Sequence, residues 1–402
     1  MVDGTRSGRM LGAVLLAVSL TAATGCLTSD TYERPPLETP ETVQTEIEVE
    51  GFGAGTVGGW QEGHDVVNVT SLKDDGPGGL REALRTDGEP RVVRFDVDGD
   101  IHLRTPLSLP SNITLDGRGA DVNLVGKGLL IHGVENVVVT HIDIVDVGPD
   151  TMDGVQIGTG TPGGDARPSR NVVVDHVRFT QNDGLGDSDY VDEAISVIYG
   201  STDITVQWSR FENIEKVVLI GNGDAPPELD SRIRVTMHNN YFVNTGRRHP
   251  RVRYGRVDFY NNYVRDWYLF EENSMDDLYG DGNWRRSYGS WCHTGCEMIV
   301  EENVFERQTH QNDDSFGTSV DMHPNHATLC YKPPFSFGEG EGKGAIDDRG
   351  SYVPQSSEAE LRFNVGCDPD GNVFDRPYDA TVETANDDLR RLLSKETGDG
   401  QR

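Results

Sequence analysis

Three stretches of this chain carry the same pattern: Asn136-Val-Val-Val-Thr-His-Ile-Asp-Ile, Asn171-Val-Val-Val-Asp-His-Val-Arg-Phe and Asp203-Ile-Thr-Val-Gln-Trp-Ser-Arg-Phe. Ile233-Arg-Val-Thr-Met-His-Asn-Asn-Tyr-Phe, Val257-Asp-Phe-Tyr-Asn-Asn-Tyr-Val and Met298-Ile-Val-Glu-Glu-Asn-Val-Phe continue the series. Each alternates apolar and polar residues at period two, bends at a polar residue, then resumes with an apolar one. The tightest spacing, Asn240 to Asn262, is 22 residues, and Gly- and Asp-rich insertions stretch the others. A coil of that length cannot bury its own apolar face, so stacking must create the core. The repeats predict an all-β solenoid, a right-handed parallel β-helix, with Asn240, Asn262 and Asn303 stacked as an internal ladder. A β-sandwich also has short strands, but it does not require the same bend residue in successive repeats.

Composition agrees with that reading. Hydrophobic residues make up only 35% of the 402, and 47 are glycine, which suits many short strands and turns better than a thick helical core. No long amphipathic helix appears after residue 51 until Asp387–Lys395, which predicts a short helix packed on the solenoid. Insertions on one side of a solenoid commonly build its binding face.

The first 26 residues read as a targeting segment. Arg6 and Arg9 precede an apolar run of 13 residues, Leu11 to Ala23, which ends in Ala23-Thr24-Gly25-Cys26. That run is too short to span a membrane comfortably. The ending resembles a lipoprotein signal, with Cys26 lipidated after cleavage; an ordinary secretory peptide is the alternative. Residues 27–50 are rich in Thr, Glu and Pro and are expected to be a flexible tether, 51–395 the folded domain and 396–402 a tail. Export follows, with contact to the membrane only through Cys26; a monomer is expected, although the sequence is silent on oligomeric state. Export also favours one or two disulfides among Cys292, Cys296, Cys330 and Cys367, with the pairing open. A zinc site built from Cys292, Cys296, His323, His326 and Cys330 fits no strong spacing pattern.

The formal charge is −31, from 67 acidic and 36 basic side chains, which makes nucleic acid an unsuitable partner. Yet Arg247-Arg-His-Pro-Arg-Val-Arg-Tyr-Gly-Arg256 holds five arginines in ten residues. Rigid, permanently charged guanidinium groups suit fixed binding of carboxylate or phosphate, so the run marks a candidate site for an anionic ligand. A solvated Arg-rich turn is the bland alternative. Pro250 implies an edge or bend, which would bring Arg248 and Arg253 toward one groove.

Several motifs occur in order: Gly51-Phe-Gly-Ala, Gly58-Gly59, Leu72-Lys-Asp-Asp-Gly-Pro-Gly-Gly-Leu-Arg-Glu-Ala-Leu, Val93-Arg-Phe-Asp-Val-Asp-Gly-Asp-Ile and Asn112-Ile-Thr-Leu-Asp-Gly-Arg-Gly-Ala. With the Val-Asp175-His176 strand and Arg248-His-Pro250-Arg-Val-Arg253, they resemble the pectate lyases of polysaccharide lyase family 1. The likeness runs from about residue 51 to 265, with weaker echoes to about 390. Arg-x-Pro-x-x-Arg alone is a modest signal, whereas the motif following the glycine-rich opening is a strong one.

The resemblance implies a parallel β-helix and calcium-dependent β-elimination of polygalacturonate. The substrate is a polyanion with a weakly acidic C5 hydrogen alpha to a carboxylate. Breaking that bond requires the carboxylate neutralised, a base in place and the enolate-like charge stabilised. By similarity Arg248 is the base, Arg253 contacts the substrate carboxylate and Lys216 binds substrate. Arginine ordinarily ionises above about 12, so this role needs calcium and neighbouring cations to make a neutral guanidine accessible.

For calcium, Asp153 matches one family ligand and Asp192 a second, with Glu193 the competitor if the register slips by one. The next expected acid falls on Ser196, which weakens the site, and Asp183, Asp187 and Asp189 are candidates to compensate. Two further readings follow: a calcium-independent pectin lyase acting on methylated polymer, and a non-catalytic β-helix that binds acidic polysaccharide. The acidic excess also resembles that of proteins from high-salt cells, where a Debye length of about 3 Å at 1 M salt mutes self-repulsion. A halophilic protein should lose its circular dichroism β-signal on dialysis to low salt. Full stability in dilute buffer would reject that origin.

Overall fold

In the computed structural model, the structure describes residues 46–85, 88–148, 153–161, 164–181, 192–223, 227–267, 289–306, 326–330, 345–354, 360–361 and 373–398. Cys26, most of the expected tether, Asp183, Asp187, Asp189, His323 and Cys367 lie outside them, as do the side chains of His326 and Cys330.

The repeats form a right-handed parallel β-helix. The described strands make three sheets of ten, nine and eight, and every strand-to-strand pairing is parallel. One coil shows the plan: Thr202–Gln207 lies in the ten-stranded sheet, Arg210–Glu212 in the eight-stranded sheet and Val218–Ile220 in the nine-stranded sheet. The right hand is the usual one for parallel crossovers.

The corner between the ten- and eight-stranded sheets explains the repeated bend. Its first residue has a left-handed backbone, with φ of 49° at His176, 49° at Trp208, 54° at Asn239 and 50° at Asn261. The second residue then points inward and is buried: Val177, Ser209, Asn240, Asn262 and Asn303 in successive coils. Buried amides need partners, and each finds them in the coil above. Asn262 Oδ1 accepts from the Asn240 backbone N at 3.0 Å and from Asn240 Nδ2 at 2.9 Å. Asn303 Oδ1 does the same for Asn262, at 2.8 and 3.1 Å. The spare amide hydrogens go to backbone carbonyls, as from Asn262 to Met237 at 2.9 Å. The expected ladder is present, and Ser209 extends it, its N donating to Asn240 Oδ1 at 3.0 Å. Beside it Phe179, Phe211 and Phe242 stack, with centroids 5.0 and 4.7 Å apart.

The glycine-rich opening serves close packing. Phe52 N and Gly53 N donate to Thr236 Oγ1 and Thr205 Oγ1, each at 3.0 Å, so the segment lies on the outer face of the ten-stranded sheet. A Cβ at Gly51, whose φ is +93°, would lie 2.4 Å from Thr236 Oγ1, and one at Gly59 1.9 Å from the Arg91 carbonyl. Docking begins among the described residues at Glu46, which meets Arg94 at 2.9 Å, within the stretch expected as tether. The C-terminal segment shares this face. Arg376 clamps the fully buried Asp258 at 2.6 and 2.8 Å, and Tyr378 Oη donates to the same carboxylate at 2.6 Å.

The terminal helix spans Asp387–Glu396 and is capped by Asn386, whose Oδ1 accepts from Asp388 N and Leu389 N. Leu389 and Leu393 pack against Tyr241, Tyr263 and Val304. Cys292 and Cys296 form a disulfide with an S–S distance of 2.07 Å, which removes both from any zinc site.

The ladder makes a test of the fold. Asn262→Ala leaves buried donors and acceptors of two coils unmatched and should destabilise by about 2–4 kcal/mol. Urea denaturation of the variant against the parent measures it.

Candidate active site

The candidate residues gather where chains enter the nine-stranded sheet. In-register pairing places Asp153 beside Glu193 on adjacent coils. Lys216 follows on the next coil, bridged to Arg247 on the coil after, and Arg248 adjoins. Neighbouring coils lie about 4.8 Å apart, so two acidic rungs are followed by two basic ones. Asp153, Asp192 and Glu193 each offer an oxygen within 4.8 Å of the others. Asp192 and Glu193 had competed for one place; the structure brings both to the cluster.

Asp153 is buried and heavily engaged. Its Oδ1 accepts from Glu193 N at 3.1 Å, and its Oδ2 accepts from the Ser196 hydroxyl. Burial pushes its pKa up to about 7, and the Asp192 charge adds to that, against the Ser196 hydrogen bond and the Arg248 and Lys216 charges. Ser196 thus stands in the expected acid's place as a neutral oxygen donor attached to Asp153. The three carboxylates fit calcium, whose bonds of roughly 2.3–2.6 Å require ligands no more than about 5 Å apart, with the Ser196 hydroxyl a fourth oxygen beside Asp153. Each cation of the site already has an acid: Arg248 Nη1 contacts Glu193 Oε1, and Lys216 Nζ contacts Asp192 Oδ1.

Arg248 itself has a φ of 70°, uncommon for a residue with a Cβ, and its carbonyl accepts from Val218 N at 2.8 Å. The next residue holds that geometry. His249 is fully buried, with Nε2 at 2.7 Å from Thr245 Oγ1, while Nδ1 and the backbone N both lie 3.0 Å from the Gly289 carbonyl. The His249–Pro250 peptide is cis. His249 is a positioning residue that the sequence did not reveal, because its partners Thr245 and Gly289 meet it only in the folded coil.

Arg253 sits apart from the cluster. The strand Arg251–Val252 intervenes, and Arg253 N donates to the Ile220 carbonyl at 2.8 Å at the far end of the sheet's width. Its charge is felt by Asp230, whose pKa burial raises and Arg253 lowers. Lys216, Arg248, Asp153, Asp192 and Glu193 therefore converge, and Arg253 lies along the strand from them.

A second group of possible ligands, His141, Asp175 and His176, lies at the ten- to eight-stranded corner. Both Nδ1 atoms are engaged, His141 with Thr140 Oγ1 at 2.7 Å and His176 with Asp175 Oδ1 at 2.9 Å. The two rings stack at 4.5 Å and 14°, so their lone pairs run parallel instead of meeting at one point. This group is a rung of structure. Burial, helped by the His176 charge, depresses His141 to about 4. The unfolded chain, with an ordinary value near 6.5, therefore binds the proton first as pH falls. Stability from this ring is full above about 6.5 and is lost on descent to about 4. His141→Asn should flatten the stability–pH curve in that window by on the order of 2 kcal/mol, allowing for screening, as read from denaturation midpoints.

Comparison with known proteins agrees with this geometry. A family model described as pectate lyase matches residues 42–328. Pectate lyase E of Dickeya chrysanthemi is 32% identical over 257 residues, covering 56% of this chain and 64% of that protein. Pectate lyase D of the same organism is 31% identical over 294 residues, covering 65% and 71%. Pectate lyase 4 of Ambrosia artemisiifolia is 33% identical over 256 residues, covering 58% and 60%. The match thus spans less than two thirds of the length of pectate lyases E and 4. In fold, the chain resembles the pectate lyase of Acidovorax avenae subsp citrulli, with a TM-score of 0.66 at 16% identity over 92% of this chain and 98% of that one. It also resembles a Bacillus sp. N165 pectate lyase in complex with trigalacturonate, with a TM-score of 0.57 at 22% identity over 88% and 99%.

Proposed function

Because the chain belongs to the pectate lyase family, we propose that it cleaves polygalacturonate by β-elimination, with Arg248 as base. The observation that carries this reading is the convergence of Arg248 and Lys216 on Asp153, Asp192 and Glu193, from coils up to 95 residues apart in sequence.

Arg248 takes the C5 proton, the C5–H pair becomes the C4–C5 double bond, and the C4–O bond breaks. The departing oxygen takes a proton from solvent. Lys216 meets negative charge on the substrate and disfavours a second charge on Arg248, whereas Glu193 favours it. Arg248 is competent when that Glu193 contact is relieved. Asp153, Asp192, Glu193 and Ser196 would hold calcium, which supplies neutralisation of the substrate carboxylate and acidifies C5. Arg253, along the strand from the cluster, contacts a substrate carboxylate. Export, with lipidation at Cys26 anchoring the protein to the cell surface, rests on the leader sequence. A second reading has one specific support. Ser196 lacks the fourth charge, while Lys216 and Arg248 already balance two of the acids, as a calcium-independent enzyme acting on methylated pectin would need.

The purified protein, incubated in high salt with polygalacturonate or methylated pectin, should yield absorbance of unsaturated product from the former alone, and none with chelator. Product from methylated pectin in chelator would establish the second reading. No product from either would make the protein a polysaccharide binder. Arg248→Lys should lower turnover by at least 10³-fold with substrate binding nearly intact; an active variant removes Arg248 from the base role.

A further inference from the structure

The arginine run holds one further cation with a defined place. Register puts Arg251 on the outward row of the nine-stranded sheet, in line with Leu219 and Ser196 behind it and Trp291 ahead. Residues one position along, Val197, Ile220, Val252 and Cys292, form the buried inward row, which fixes the direction of the outward one. Arg251 therefore sits two rungs, roughly 10 Å, along the solenoid axis from Ser196, the residue joined to Asp153. It lies on the basic side of the acid-to-base sequence of rungs.

Its guanidinium lies over the Trp291 ring, 4.6 Å from the centroid. Trp291 is itself buried and braced edge-on by His293 at 5.1 Å and 64°. A guanidinium held over a fixed indole is restrained before any ligand arrives, so less entropy remains to be lost on binding. A surface arginine that merely tuned the field would not need a buried aromatic beneath it. Planar donors match a carboxylate, and in an overall acidic protein a second fixed cation in line with the first selects a ligand with repeated negative charge.

We propose that Arg251, held over Trp291, is a specificity-determining substrate-binding residue: it takes the carboxylate of a uronate unit displaced along the axis from the unit at the acidic rungs, and so favours unesterified polymer. This rests on the lyase reading of the site. A chain laid along the axis then meets the acidic rungs at one unit and Arg251 at another. Methylation of that second carboxylate removes the charge that the guanidinium recognises.

The test uses the full protein, with Arg251→Gln and Arg251→Lys. Tryptophan fluorescence is titrated in chelator with an oligogalacturonate and with its methyl ester, and KM and kcat are measured on polygalacturonate. Arg251→Gln should raise the Kd of the free acid and the polygalacturonate KM about tenfold, leave kcat within about twofold and leave the Kd of the methyl ester unchanged. Arg251→Lys, which keeps the charge and loses the plane, should fall between. Unchanged Kd and KM, or equal losses of affinity for both ligands, would overturn the assignment. A parent protein that cleaves neither polymer rejects the lyase reading alone, because the binding titration still reports on Arg251.

Discussion

Parallel, in-register stacking is the constraint on which the rest of this protein depends. A residue at one rung has its counterpart directly above and below, so the molecule is built from columns as much as from strands. Val137, Val172, Ile204, Val235, Val257, Met298 and Ile346 form one such column, all of them buried. Apolar residues recur at that place because no single coil can bury them. The asparagine ladder obeys the same rule with hydrogen bonds, since an amide is both donor and acceptor and can satisfy a copy of itself one rung away. The site obeys it with charge: the column that starts at Asp153 and Glu193 continues into Lys216 and the arginine turn.

The outer surface is organised by columns as well. Thr205, Thr236 and Asp258 follow one another on the exterior of the ten-stranded sheet. The threonines receive the backbone of the N-terminal segment, and Asp258 receives Arg376 and Tyr378 from the C-terminal one. Glu50 ties the two segments together, its carboxylate accepting from Thr381 and from Tyr260 of the sheet. A carboxylate as buried as Asp258 is tolerable only with such donors, because leaving it unpaired costs several kcal/mol. The N-terminal segment and the stretch around Arg376 and Tyr378 therefore dock on this sheet, the terminal helix on the eight-stranded one, and the candidate site lies on the third.

A protein with a formal charge of −31 that gathers cations at one place must separate its general field from its local one. It does so by pairing. Glu193 and Asp192 offset the cations that face them, and Asp153 is carried toward protonation by burial. The site is close to neutral within itself, which lets an anionic ligand and a cation enter together where either alone would be opposed. Arg251 also has an aromatic face as its support.

Much of this was legible in the sequence because it is periodic. The bend residues announced the coil, the spacing of Asn240, Asn262 and Asn303 announced the ladder, and Asp387–Lys395 announced the terminal helix, since each depends on local chemistry repeated at intervals. The motif around Pro250 pointed to Arg248 by its resemblance to a family and not by periodicity. What only the tertiary structure decided concerns rungs separated by insertions of unequal length. Asp153 and Glu193 are 40 residues apart, and no local signal states that they become neighbours. Whether Asp192 or Glu193 belonged to the cluster turned on a register that the sequence left open. His249 as the brace of Arg248, and Trp291 as the support of Arg251, were likewise invisible, because each acts across coils. The sequence determined which residues each coil carries; stacking decided which of them meet, because register is set by the hydrogen bonds between rungs and not by distance along the chain.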